Sequence, residues 1–223
     1  MFSKILTSAL IAGAVAGLLA ALLQLYFVQP VLLHAELFET GQLTHSGVSD
    51  AHFESAGFDV QRDLLSVVFT MLIYSGYGLV LVAMMNMAEA QGALINARSG
   101  IIWGVAGFVA VHFAPGFSLP PEVPGSSAAD VSDRQIWWFA TVLATMVALW
   151  LFAFGSKRIA WVAGTVVILA PHIIGAPHPD VLTGSAPTEL GGMFAARSLG
   201  VGLAAWVMLG SLAGYFWSNS EET

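Results

Sequence analysis

The sequence predicts an all-α integral membrane protein with six transmembrane helices, on three observations. The chain of 223 residues is 57% hydrophobic and only 9% charged, whereas a soluble domain carries about 25% charged residues. Its mean hydropathy is +0.79. The few charges divide it into uncharged windows at 5–35, 64–88, 99–121, 135–156, 159–179 and 198–220, each long enough for the roughly 20 residues needed to cross about 30 Å of hydrocarbon. The apolar runs are continuous rather than alternating. In lipid each segment must satisfy its own backbone hydrogen bonds, so helices follow.

The first helix is expected near 5–28. Its start, MFSKILTSALIAGAVAG, resembles a signal peptide, but the uncharged stretch from Ile5 to Ala35 far exceeds a typical apolar core of 7–15 residues. It therefore reads as a helix that stays. The second helix is expected near 64–88, after Arg62-Asp63. The third, near 99–118, runs into HFAPGFSLPPEVPG, and the fourth, near 135–155, starts after Arg134. The fifth and sixth are expected near 159–176 and 194–217, all within a single transmembrane domain spanning 1–223. The odd helices share small-residue patches that run toward a Pro/His region: Pro30 with His34, His112 with Pro115, and Pro171-His172. The pattern fits three related helical hairpins, as in many transporters; the simpler alternative is chance likeness among Ala/Gly-rich helices.

The Ser156-Lys157-Arg158 turn suggests the orientation. With both termini cytoplasmic, Lys4, Arg98, Lys157 and Arg158 lie inside, against Arg62, Arg134 and Arg197 outside. The expected location is the cell inner (plasma) membrane. All acids except Glu89, Glu221 and Glu222 then face out, giving an electronegative mouth that would concentrate cations. Solvated loop charge is the plainer account. The net charge of −7 leaves no basic face for nucleic acid. With no cysteine, a metal would need His, Met, carboxylate, carbonyl or water as ligand.

Three arginines at helix starts oppose the helix dipole. Arg62 with Asp63, Arg134 with Asp133, and Arg197 with Glu189 are the expected ion pairs at the mouth. Snorkelling to the interface would serve equally. His112 and His172 lie at the outer ends of the third and fifth helices, with Glu122, His178 and His34 nearby. Ionisable groups at membrane depth are costly and usually functional, and neutral imidazole suits divalent transition metals. These five residues are the candidate metal ligands, against the alternative of hydrogen-bonded interfacial histidines. His45 and His52 lie in the first long loop. Prolines 115 and 171 would free carbonyls able to coordinate cations. Met84, Met85 and Met87 point in different directions on a helix, so packing is their expected role. Trp137, Trp138 and Trp217 are expected in the interfacial belts. No G-x-S-x-G, H-E-x-x-H or phosphate-binding loop occurs, so no enzyme is expected.

HFAPGFSLPPEVPG, ADVSDRQIWW and PHIIGAPHP, with AGLLAALLQLYFVQP, Arg62-Asp63-Leu64-Leu65, Ala97-Arg98-Ser99-Gly100 and Phe194-Ala195-Ala196, together resemble the bacterial CbtA family of predicted cobalt transporter subunits. The resemblance implies a membrane subunit of a cobalt uptake system, with cobalt as transported ion and no tightly bound cofactor. It also implies a small, single-helix, histidine-bearing companion of the CbtB type. The glycines at 13, 17, 200, 202 and 210 would permit close helix approach in a homo-oligomer or with that companion. Two rival readings remain: a membrane redox protein with His112 and His172 as axial haem ligands, and a structural or assembly subunit that transports nothing.

Overall fold

The computed structural model describes residues 2–43 and 59–219. His45, His52 and Ser46 lie outside the described residues. The chain is an all-α membrane protein. Its helices are α1 (Ser3–Glu39), α2 (Val60–Glu89), α3 (Ala97–Ser118), α4 (Val131–Phe154), α5 (Arg158–Ile174) and α6 (Thr188–Asn219). All but α5 are long and apolar enough to cross a membrane; α5, apolar and 17 residues long, reaches the lower end of the roughly 17–25 residues a span needs.

Helix α1 differs from expectation. It passes through Pro30 and ends at Glu39, well beyond 28. A π-helical turn at Gln24–Val28 precedes the proline, and the wider turn swings the carbonyls before it clear of the ring. The same device recurs in α3, where the π-helical turn Val109–Phe113 stands at the same spacing before Pro115. The sequence likeness of α1 and α3 therefore extends to their backbone geometry. Pro171 lies within α5 with no such turn before it.

The chain divides into two compact units. The first is formed by the described residues of Met1–Tyr26, Phe58–Phe108 and Gly200–Thr223. Small residues set its packing. A Cβ on Gly17 would lie 2.6 Å from the Met71 Cα, and one on Gly13 would meet the Ser75 backbone. Gly100 and Gly104 oppose the Gly210 and Trp206 carbonyls in the same way. Backbones this close gain dispersion contacts that lipid tails cannot match. The glycines at 13, 17 and 210 are thus spent inside the chain. Tyr77 stacks on Trp206 at 5.0 Å, and Tyr74 meets Tyr77 edge-on. Met85 is buried and Met87 exposed, as their helical angles require.

Trp217 is buried within the first unit. Its Nε1 donates to both Glu89 carboxylate oxygens at 3.1 and 3.2 Å, and the Lys4 ammonium lies 4.1 Å from the ring centroid. At the start of α2, the Asp59 side chain accepts from the Arg62 N–H at 2.8 Å, and Asp63 accepts from the Asp59 N–H at 3.2 Å. This reciprocal cap places two carboxylates against the positive helix end and offsets Arg62.

The second unit is formed by the described residues of Phe27–Gly57 and Val109–Leu199. Helices α4 and α5 pack together, with Phe152 stacked on Trp161 at 5.1 Å and Gly164 against Phe152. Thr141 and Thr145 are fully buried, and each donates 2.8 Å to the carbonyl one turn earlier, so their hydroxyls cost little in lipid.

Candidate functional site

All of the candidate residues except Arg62 and Asp63 belong to the second unit. Three chain segments meet there: the C-terminal ends of α3 and α5, and the start of α4. The loops that follow α3 and α5 are joined by a bridge between Ser126 and Gly184. Ser127 N–H donates to the Thr183 carbonyl at 2.8 Å, Thr183 N–H to Ser127 Oγ at 2.9 Å, and Ser185 N–H to the Gly125 carbonyl at 3.2 Å. Gly125, at φ +77°, takes the left-handed turn that starts this pairing.

His172 is held by side chains from two other helices. Its Nδ1 lies 2.9 Å from Ser118 Oγ. Phe117 and Trp137 meet its ring edge-on, at 5.8 and 5.9 Å between centroids. Trp137, expected in an interfacial belt, is buried, and its indole N–H donates 3.2 Å to the Pro171 carbonyl. That contact ties α4 to the last turn of α5 beside the histidine. His112 stands in the π-helical turn of α3, half-buried; such turns recur at functional positions because they displace a side chain from regular spacing.

The carboxylates and arginines are arranged differently from their sequence neighbours. Arg134 reaches Glu122 through Nη2 at 3.0 Å, not the adjacent and exposed Asp133. Arg134 Nε is buried with no hydrogen-bond partner among the described residues. Asp130 caps α4 by accepting from Ser132 N–H at 2.8 Å and from its hydroxyl. Those bonds hold its carboxyl below the usual carboxylate range. Arg197 donates through Nη1 to the Phe27 carbonyl at 2.9 Å, while Glu189 accepts from Thr188 Oγ1 at 3.3 Å. In the first unit, Arg62 Nε contacts the buried Asp63 at 2.8 Å.

His178 is exposed, its Nδ1 3.4 Å from the Pro179 carbonyl. His34 meets Phe38 on its own helix at 5.5 Å. Among the described residues, no group of three or more His, Asp or Glu side chains stands close enough to hold a metal ion. Ser118 and Phe117 escaped the sequence reading, and Trp137 entered it only as an interfacial-belt residue. Ser118 is visible there only as a polar residue in a Phe/Pro stretch, with nothing to connect it to a histidine 54 positions away.

Comparison with known proteins supplies the family. Neither the curated proteins nor the solved structures yield a match. The family model described as probable cobalt transporter subunit (CbtA) matches residues 2–218, nearly the whole chain. The chain therefore belongs to the CbtA family of probable cobalt transporter subunits.

Proposed function

We propose that this chain is the membrane subunit through which a divalent transition-metal ion, cobalt in the first instance, enters the cell across the inner membrane. The observation that carries the reading is the family match over residues 2–218, joined to helices long and apolar enough to span a bilayer. The ion enters at the loops after α3 and α5. His172 and His112 act as ligands there, with Glu122, His178 and His34 as further donors along the route. Few ligands at each point suit a transported ion, which must bind well enough to enter and weakly enough to leave. An inside-negative potential moves each unit charge with about 2.3 kcal/mol per 100 mV, so a divalent ion gains about twice that on entry.

Both termini are cytoplasmic in this reading. The Lys4–Trp217–Glu89 contacts support a common side for the two, because they bring the first and last helices together at one end of the first unit, as an even number of crossings requires. A small histidine-bearing companion of the CbtB type works beside the chain, singly or in a homo-oligomer; the word subunit in the family description supports a partner. The test is cobalt uptake in cells that express the chain with and without that companion, and with His112→Ala or His172→Ala at matched expression. Uptake should need the chain and fall in both variants. Wild-type uptake in both would move the ligands to carbonyls near Pro115 and Pro171, and uptake independent of the chain would overturn the reading.

A further inference from the structure

We propose that Ser118 is a positioning residue that sets the ring tautomer of His172, so that Nε2 presents its lone pair to the incoming divalent cation. The proposal rests on the reading of His172 as a ligand. A neutral imidazole carries one N–H, and only the other nitrogen can bind a metal. Ser118 Oγ stands 2.9 Å from Nδ1. With the proton on Nδ1, the serine oxygen accepts it and Nε2 is left as the metal-binding atom. Ser118 is half-exposed in the last turn of α3, so its own proton can turn to water and leave its lone pairs for the imidazole.

The surroundings hold that arrangement in place. Phe117 and Trp137 meet the ring edge-on at 5.8 and 5.9 Å, with interplanar angles of 90° and 76°. Trp137 cannot easily turn away, because its own N–H is bonded to the Pro171 carbonyl, one residue before the histidine. Two aromatic walls therefore restrict rotation of the ring, and the serine decides which nitrogen holds the proton. Outer partners of this kind orient ligating histidines and raise their basicity; losing one weakens metal affinity by about 10–100-fold.

The experiment uses the full chain in detergent micelles. Nitrogen-15 histidine spectra of the metal-free protein, with His172 assigned by His172→Gln, should show the Nδ1–H tautomer; an Nε2–H tautomer would overturn the proposal. Titration with cobalt(II) chloride should show affinity about tenfold weaker in Ser118→Ala and near wild type in Ser118→Thr, which keeps the hydroxyl. If His172→Ala loses binding while Ser118→Ala binds as wild type, His172 remains a ligand and the role of Ser118 falls. If His172→Ala itself binds as wild type, the ligand reading falls, and this proposal with it.

Discussion

Arg197 on α6 donates its guanidinium Nη1 hydrogen to the Phe27 carbonyl of α1, 2.9 Å away and 170 residues earlier in the chain. Phe27 lies in the π-helical turn that precedes Pro30, where the wider turn tilts carbonyls outward and lets one accept from a second helix. An arginine that looked misplaced near a helix start thus serves a backbone acceptor on another helix.

Replacing Arg197 with Ala should therefore lower stability by roughly 0.5–1.5 kcal/mol, the range for a typical hydrogen bond, since the contact is exposed to solvent. Arg197→Lys should fall between the two, since an ammonium lacks the fork geometry. Denaturant titration in mixed micelles measures the change. Midpoints that coincide for wild type and Arg197→Ala would show that the bond contributes nothing.

Close helix contact in the first unit gives a paired prediction. A Cβ at Gly104 would collide with the Trp206 carbonyl, whereas one at Gly76 meets nothing within 4 Å. Gly104→Ala should destabilise by about 1–3 kcal/mol through overpacking. Gly76→Ala should be neutral or stabilise by up to about 1 kcal/mol, through its lower entropy in the unfolded chain. Equal losses at both positions would contradict the packing described.

Orientation is open to impermeant thiol reagents, because the chain has no cysteine of its own. Leu182, 86% exposed in the loop after α5, is a better reporter than Ser185, whose hydroxyl is buried. Cysteine at Leu182 or Ser126 should label in intact cells, while cysteine at Ser156 should label only after lysis. The opposite pattern would reverse the assignment of inside and outside.

The Asp130 cap carries a pH signature. Its hydrogen bonds from Ser132 favour the ionised carboxylate and depress its pKa in the folded chain. Its stabilising effect is complete above the ordinary aspartate value and is lost as pH falls through the depressed one. Asp130→Ala should therefore be less stable than wild type at neutral pH, and the gap should close on acidification. A gap independent of pH would mean that the cap acts only through its neutral hydrogen bonds.

The sequence by itself determined that this chain lives in lipid and is helical, because charge spacing and uninterrupted apolar runs leave the backbone no other way to satisfy its hydrogen bonds. It also marked the Pro/His ends of the odd helices, since prolines and ionisable groups are rare enough in such a chain to stand out. What it could not reveal was partnership across distance. Asp133 is adjacent to Arg134, yet Glu122 takes the guanidinium. Glu189 shares a helix with Arg197, yet a carbonyl of α1 is the acceptor. The setting of His172 depends on Ser118 and Trp137, brought to it from two other helices. Local pattern is set by the solvent that each segment meets, and in a bilayer nearly every apolar helix meets the same one. Which faces touch is decided by shape, by glycines that let backbones approach and by π-helical turns that re-aim side chains, and those contacts exist only once the helices have packed.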